Sequence, residues 1–453
     1  MSRRGNKHLM RAAPAPAMVA QCGIKCSKSE LDLFAPRLIQ TDEDGYSVDT
    51  YQPITTITPT APIEFNVIGT PDTYLDLANS YITATVRIVN ADGTNIADDA
   101  QVGPINLLLH SIFSQVDVYL NNTLVSSSDN LYAYRAYLET LLSYNEEAKE
   151  GPLTLELWYK DTAGRMDTAN PLAEAANRNT GLTKRQSFMT TSRAVHMLGR
   201  LHADVFQQGR LILSSCDLRI KLLRNKDAFI LQSSADNPTF RVVVDNATLH
   251  VRKVKVSNDK ALEIERFLDA TGGAMYPISN VQVKTTTIPQ NLTTFTQENL
   301  YTGQLPTRIV VAMVDNEAVI GSYTRNPFNF QHFNSTQVAL SVNGQTVPGE
   351  PYTMNFANND YVEAYFSLYE AMGKAFRNGG IDINREEYAQ GFTIWAFDLT
   401  PDVSCGHSSA NNEGRIKIEL RFGRALDRAV SLICYSEKDA IIRIDKHRQV
   451  NLI

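Results

Sequence analysis

The feature that most constrains this chain is a short pattern that occurs twice. Residues 115–125 read QVDVYLNNTLV and residues 337–347 read QVALSVNGQTV. In both stretches apolar residues alternate along the chain, which is typical of a β-strand with one buried face. Each strand ends at a two-residue turn, Asn-Asn in the first copy and Asn-Gly in the second. Both residue types accept the positive φ angles of a type I′ turn, so the sequence predicts two β-hairpins.

A helical stretch follows each hairpin. Residues 130–150 (NLYAYRAYLETLLSYNEEAKE) and 359–374 (NDYVEAYFSLYEAMGK) place apolar and aromatic side chains three and four residues apart. That spacing indicates one face of an α-helix. Asp129 or Asn130 is the expected N-cap of the first helix. A third helix, at 258–270 (NDKALEIERFLDA), is predicted to connect the two halves.

A strand of alternating basic and apolar residues completes each copy. It reads LRIKLLR at 218–224 and RIKIELRF at 415–422. Hairpin, Tyr-rich helix and basic strand therefore recur in the same order. The fold prediction is all-β: two tandem eight-stranded jelly rolls, a double jelly roll, with short helices in loops. Two unrelated β domains that share a hairpin by chance are the alternative.

The composition changes along the chain suggest the domain boundaries. Residues 1–49 are predicted to be an N-terminal arm, because they are polar and interrupted by prolines. The first jelly roll is assigned to 50–258 and the second to 259–453. Within the first, residues 145–188 are polar and rich in Ala and Asn. This stretch is predicted to be a long loop, of a length that usually has a function.

Charge and cysteine usage limit the function classes. The net charge is −6, so no global positive field attracts the chain to nucleic acid or acidic membranes. Basic residues cluster only at the start, at Arg3, Arg4, Lys7 and Arg11. Two interpretations stay open for that cluster, a solvated terminus or a tail that contacts a polyanion. No stretch of eighteen apolar residues occurs, so we expect no membrane span. Five cysteines form no disulfide framework, which favours synthesis in a reducing compartment, the cytoplasm or nucleus.

Candidate metal ligands are sparse in the sequence. Cys22 and Cys26 have no two further ligands nearby, as structural zinc requires. His196 and His202 lie six residues apart near a predicted strand, which is weak support for a metal site. We therefore expect no metal and no cofactor.

Candidate catalytic groups are no more convincing. Residues 405–407 (Cys-Gly-His) are adjacent in a predicted turn, where two side chains rarely point at each other. The pairs Glu146-Glu147 and Glu386-Glu387 are neighbours in sequence, so they do not flank a substrate as glycosidase carboxylates do. We expect that the protein is not an enzyme.

Four segments carry a resemblance to a known family. They are GQLPTRIVVAMVDNEAVIGSYTRNPFNFQHFNSTQVALSVNGQTVP (303–348), AMYPISNVQVKTTTIP (274–289), GFTIWAFDLTPDVSCG (391–406) and IIRIDKHRQV (441–450). In wording, order and spacing they closely resemble the major capsid proteins of Polinton (Maverick) elements and the related adintoviruses. The first half of the chain matches that family in layout, with less distinctive motifs.

The resemblance implies a structural role in a virion. Members of that family are tandem jelly rolls that form a homotrimer, a capsomer with a pseudo-hexagonal outline, and these capsomers tile an icosahedral shell around double-stranded DNA. Neighbouring capsomers and a minor (penton) capsid protein are then the expected partners. The arm is expected to face the interior, where Arg3, Arg4, Lys7 and Arg11 would contact packaged DNA or an internal protein. The loop at 145–188 is expected to form an exposed tower.

No active-site residues carry over from the family. The motif Asn326, Pro327, Phe328, Asn329 and Phe330 is predicted to be structural. Pro restricts the backbone, the Phe rings fill a core or a subunit interface, and the Asn side chains bond to nearby backbone. The sequence alone does not separate core from interface.

Two other jelly-roll functions compete with the capsid. A carbohydrate-binding protein would need exposed Trp or Tyr in a groove and usually a secretion signal, whereas the chain has 2 Trp and no apparent signal. An enzyme of the cupin type would place several His and a carboxylate on facing strands. The eight His of this chain are scattered singly.

Overall fold

The computed structural model describes residues 39–377, 380–400 and 412–453. Residues Asp42–Ile453 form one compact unit. Several residues singled out in the sequence lie outside the described ranges: Arg3, Arg4, Lys7, Arg11, Cys22, Cys26, Cys405 and His407.

Strands dominate the described part of the chain. They are β1 (Glu43–Tyr51), β2 (Ile63–Val67), β3 (Thr73–Val89), β4 (Val102–Pro104), β5 (Phe113–Leu120), β6 (Thr123–Ser126), β7 (Val195–Gly199), β8 (Leu218–Arg224), β9 (Leu231–Ser233), β10 (Arg241–Val256), β11 (Ala274–Ile288), β12 (Thr294–Gln304), β13 (Arg308–Asp315), β14 (Ser335–Val342), β15 (Gln345–Thr353), β16 (Ile394–Asp398), β17 (Glu413–Phe422), β18 (Val430–Ile444) and β19 (Val450–Leu452).

The helices are short and lie mostly in the connections. They are α1 (Leu108–Ser111), α2 (Tyr132–Ser143), α3 (Glu146–Glu150), α4 (Thr180–Phe188), α5 (Asp204–Gln207), α6 (Asp227–Ile230), α7 (Asn258–Thr271), α8 (Asn316–Ile320), α9 (Val362–Ala371) and α10 (Arg385–Tyr388). Within the described ranges, no helix has the length and apolar character needed to cross a membrane.

The strands form two copies of one sheet pair. The first half contains sheets of order β1-β10-β3-β7 and β2-β8-β5-β6. The second half contains β11-β18-β13-β16 and β12-β17-β14-β15, which is the same order strand for strand. Two four-stranded antiparallel sheets connected in this order make an eight-stranded jelly roll. The prediction of two tandem jelly rolls is therefore confirmed, and β4, β9 and β19 are additions to it.

Both predicted hairpins are present with the expected turns. Between β5 and β6, Asn121 and Asn122 have φ of 45° and 65°. Between β14 and β15, Asn343 and Gly344 have φ of 51° and 86°. Positive φ at both central residues is the mark of a type I′ turn, whose twist matches that of the strands.

In both jelly rolls the hairpin strand pairs with the basic strand. Val118 lies opposite Ile220 in the first jelly roll, and Leu340 lies opposite Ile418 in the second. All four side chains are fully buried. The inward alternation read from the sequence thus describes the core-facing side of both hairpins and both basic strands.

The predicted helices are present, but the expected cap of the first is wrong. Helix α2 starts after Leu131, and neither Asp129 nor Asn130 caps it. Those two residues have φ of 45° and 62° and form the turn before the helix. Two successive left-handed residues reverse the chain there, which moves the helix start beyond their reach.

The structure differs from the sequence expectation at two places in the first jelly roll. Strand β1 begins at Glu43, within the residues assigned to the arm, and pairs with β10 along its length. The 145–188 segment does not stand free as an exposed tower. It folds into α3, α4 and 3₁₀ turns, and its Trp158 and Asp161 are only 1% and 2% exposed. Buried side chains require partners on the body of the protein, so this segment is packed down.

Candidate functional site

The motif at 326–330 lies between the two jelly rolls. It belongs to the connection between α8 and β14, and it contacts α2 and the 145–188 segment of the first half. Asn326, Phe328 and Phe330 are each at most 1% exposed. We call this contact region, made of 326–330 and the residues of 132–188 that touch it, the seam.

Asparagines of the motif bond to carboxylates of the 145–188 segment. The Asn326 N–H donates to Asp167 Oδ1 at 2.8 Å, and its Nδ2 donates to Asp161 Oδ2 at 3.0 Å. Asn329 Nδ2 donates to the other Asp167 oxygen at 2.9 Å. Burial raises the pKa of the Asp167 carboxyl, although these donors oppose the rise. The sequence predicted bonds to local backbone, and Asn326 makes one of these, accepting from the Phe328 N–H at 2.9 Å.

Asp161 is anchored from the opposite side by a buried cation. Its Oδ1 accepts from Arg185 Nη2 at 2.7 Å, and neither side chain has solvent exposure. Asn179 Nδ2 donates to the same oxygen at 2.9 Å. Arg185 Nε and Nη1 donate to the carbonyl oxygens of Pro104 and Tyr159. A buried ion pair is tolerated when its other hydrogen-bonding capacity is used in this way.

Aromatic rings fill the apolar part of the seam. Phe328 stacks on Tyr137 of α2, with ring centroids 3.9 Å apart and an angle of 3° between the planes. Tyr134 and Phe229 meet Phe328 edge to face. Such arrangements add to the apolar area that the rings bury.

A cleft of about 940 Å³ lies beside the seam and is lined by charges from both halves. Lys160 Nζ contacts Asp382 Oδ1 at 2.9 Å and Glu387 Oε2 at 2.8 Å. Burial lowers the pKa of Lys149 to about 8, although Asp382 opposes the change. The Lys149 side chain is 2% exposed and donates to the Leu141 carbonyl. Lys160 belongs to the first half and Asp382 and Glu387 to the second, so we interpret these ion pairs as links between the halves.

A second buried ion pair also connects the halves. Arg135 of α2 contacts Asp204 at 2.6 Å, and Asp204 accepts from the Val281 N–H of β11 at 3.3 Å. Arg135 also contacts Glu139 at 2.9 Å. Burial alone would raise the pKa of Glu139, but Arg135 and His202 lower it to about 2. Helix α2 therefore contacts the second half directly by aromatic stacking, and its Arg135 is linked to β11 through Asp204.

The other sequence candidates have structural roles where they are described. Glu387 closes a capping box with Asn384 at the start of α10. Trp158 and Trp395, the two tryptophans of the chain, are 1% and 0% exposed, so neither offers an indole to a sugar. His196 is exposed and bonds to Thr85, whereas His202 turns to Glu139.

The sequence located one side of the seam and missed the other. The Asn-Pro-Phe-Asn-Phe motif can be recognised in the sequence because its residues are contiguous. Its partners Asp161, Asp167 and Tyr137 lie more than 150 residues earlier in an unremarkable polar stretch and a helix. The available signal was the length of the 145–188 segment and its isolated charges.

The fold of this chain is that of the double jelly-roll capsid proteins. A chain of the Sputnik virophage, solved by cryo-electron microscopy, superposes with a TM-score of 0.64 over 95% of this chain and 92% of that one, at 14% identity. The mavirus major capsid protein gives 0.51 over 99% and 97% of the two chains, at 13% identity. The Faustovirus major capsid protein gives 0.54 over 90% and 92%, at 9% identity.

Sequence comparison finds a more similar relative of unassigned role. An uncharacterised protein of Caenorhabditis elegans is 26% identical over 397 residues, which cover 85% of this chain and 91% of that protein. No family model matches the sequence. The expected likeness to viral major capsid proteins is confirmed as a likeness of fold.

Proposed function

We propose that this chain is the major capsid protein of an icosahedral double-stranded DNA virus or element of the Polinton and adintovirus group. One observation carries the proposal: a single chain contains two jelly rolls of identical strand order, and viral capsid chains share this architecture over nearly its whole length. The seam supports the same function, because a shell protein needs its two jelly rolls to act as one rigid block.

Three copies of such a chain form the proposed capsomer. Each copy contributes two similar jelly rolls, so a homotrimer presents six similar corners and a pseudo-hexameric outline. Capsomers of this outline tile a shell beside neighbouring capsomers, with a minor capsid protein at the fivefold positions. The protein would then be located in the virion.

An exposed apolar patch on the second jelly roll is our candidate for the trimer contact. Phe366 of α9 and Phe376 are 37% and 98% exposed, with ring centroids 5.5 Å apart. Val362, one helical turn before Phe366, is 49% exposed. Contiguous exposed apolar side chains mark interaction surfaces more often than single ones do. A second copy of this chain is the proposed occupant.

The test is the mass of the purified chain by light scattering, with negative-stain images of the same fractions. We expect a species near three times 50.4 kDa with a hexagonal outline. The double variant Phe366→Ser with Phe376→Ser should lower the trimer fraction. The matched control, Leu262→Ser with Phe267→Ser on α7, removes comparable exposed apolar surface and should leave it intact. A monodisperse monomer at micromolar concentration would contradict the capsomer and direct attention to glycan binding.

The N-terminal arm is proposed to contact packaged DNA or an internal protein through Arg3, Arg4, Lys7 and Arg11. The proposal rests on the basic cluster in the sequence and on the capsid function. Deletion of residues 1–20 should alter genome packaging or shell assembly and leave the trimer mass unchanged. Normal packaging by the deletion variant would argue against this role.

A further inference from the structure

Three metal-ligating side chains from separate parts of the first half meet in the interior. His110 lies in α1, Glu156 ends the 3₁₀ turn at 152–156, and His202 lies between β7 and α5. Each offers one ligand atom, and these atoms all lie within 4.8 Å of one another. The residues are 46 or more positions apart in sequence, so no short spacing motif predicts that they come together.

Two of the three ligand atoms lack a hydrogen-bond partner. His110 Nε2 and Glu156 Oε2 are buried and lie 3.5 Å apart, and neither makes a hydrogen bond to any described residue. The His110 side chain has no solvent exposure and that of Glu156 only 10%. Buried polar atoms are almost always paired, because leaving them unpaired is costly. The two atoms face each other only as a loose ion pair, and a third group that binds both would satisfy them.

The second nitrogen of each imidazole is already engaged. His202 Nδ1 lies 2.6 Å from Glu139 Oε2, and His110 Nδ1 lies 2.9 Å from the Tyr132 hydroxyl. Metal-bound histidines characteristically use their other nitrogen in this way, often with a carboxylate. Nε2 is thus the nitrogen that each ring has left for an ion.

We propose that His110, Glu156 and His202 bind one divalent transition-metal ion of the zinc type, with a water molecule as fourth ligand. Two imidazoles and one carboxylate are a ligand set that zinc accepts. Tetrahedral ligands at zinc lie roughly 3.3 Å apart. The His110–Glu156 pair, at 3.5 Å, is already near that separation. The other ligand atoms lie at most 4.8 Å apart and would have to approach that separation when an ion binds.

The backbone leaves room for the carboxylate at this position. A Cβ on Gly199, at the end of β7, would collide with the Glu156 carboxylate. The absence of a side chain at Gly199 therefore lets Glu156 lie against β7 and reach the two histidines. The bound ion would fasten the 145–188 segment to the first jelly roll, independently of whether the chain forms capsids. This assignment departs from the sequence analysis, which expected no metal.

The test uses the purified full chain, stripped with a chelator and titrated with Zn²⁺ by calorimetry and with Co²⁺ by visible absorption. We expect one ion per chain, the d–d bands of tetrahedral Co²⁺ and a higher melting temperature with the metal. Glu156→Gln and His202→Gln should each weaken binding by at least about tenfold. His196→Gln is the matched control, because His196 is exposed and bonds only to Thr85; its affinity should be unchanged.

Three results would overturn the site. The first is wild-type protein that takes up less than a tenth of an equivalent of ion. The second is equal affinity in the Glu156→Gln and His196→Gln proteins. The third is a thiolate-to-cobalt charge-transfer band, which would assign the ion to cysteines. If Glu156→Gln does not fold, X-ray absorption of the Zn²⁺-loaded wild type decides, because two imidazole ligands support the site and fewer refute it.

Discussion

Phe328 of the second jelly roll stacks face to face on Tyr137 of the first, with ring centroids 3.9 Å apart. Both side chains are fully buried. The contact joins a loop of the second jelly roll to helix α2 of the first. Further aromatic side chains surround it. We therefore expect substitutions at this contact to weaken the association of the two jelly rolls.

Truncation of the Phe328 side chain should destabilise the protein strongly. Phe328→Ala removes a buried aromatic side chain and leaves a cavity, so we expect the free energy of unfolding to fall by about 3–5 kcal/mol. Urea denaturation measures the loss. Phe267→Ala is the control, since that residue is 59% exposed on α7 and its truncation should change stability by about 0.5 kcal/mol or less. Similar small losses for both variants would show that the stacked pair contributes little.

Removal of the Asp161 carboxylate should lower the free energy of unfolding by a similar amount. Asp161→Ala leaves the Arg185 guanidinium buried without its counter-ion, which typically costs about 3–5 kcal/mol. Asp427→Ala breaks a surface pair with Arg428, whose two side chains are 62% and 41% exposed. That control should lose at most about 1 kcal/mol. Thermal and urea unfolding of the two variants side by side would check the contrast, and equal losses would contradict it.

The second hairpin turn should depend on glycine for its backbone conformation alone. Gly344 has a φ of 86°, and a Cβ placed there would meet no atom within 4 Å. Gly344→Ala should therefore cost about 1–2 kcal/mol from the left-handed conformation and nothing from crowding. Gly45→Ala is the matched control, because that site is equally open and has no positive φ. An unchanged urea midpoint for Gly344→Ala would mean that the turn adapts.

One histidine should make stability depend on pH. Burial, with a contribution from Arg424, lowers the pKa of His332 to about 4. Its ring stacks on Phe356, and its Nδ1 accepts from the Asn334 N–H at 2.9 Å. An unfolded histidine has a pKa of about 6.5. Between pH 6.5 and 4 the unfolded chain is therefore protonated at this position while the folded chain is not.

The free energy of unfolding should thus fall as the pH drops through that window and level off below pH 4. The contribution of His332 is on the order of 3 kcal/mol in total. His332→Phe keeps the ring stacking and cannot titrate. Unfolding measured at pH 7 and pH 4.5 should show a larger loss in the wild type than in this variant. Parallel pH profiles would exclude His332 as the cause.

Short-range patterns made the jelly rolls predictable, and long-range contacts made the seam unpredictable. The alternation around Val118 and Leu340 and the turn residues after them act within ten residues, so one sequence suffices to recognise them. The bonds from Asn326 to Asp161 and Asp167 join distant parts of the chain, and an isolated aspartate gives no sign of its partner. The predicted N-cap of α2 was wrong for a related reason. Asp129 and Asn130 are favourable residue types for a cap, but both have left-handed backbone conformations and form the turn before the helix.

The 145–188 segment has one more consequence. In the first jelly roll the connection that contains it runs over residues 127–194, whereas its counterpart in the second spans only residues 354–393. Two identical halves would offer a neighbouring molecule two equivalent ways to dock. The unequal connection distinguishes the halves, so they present different surfaces and a neighbouring molecule can tell one from the other.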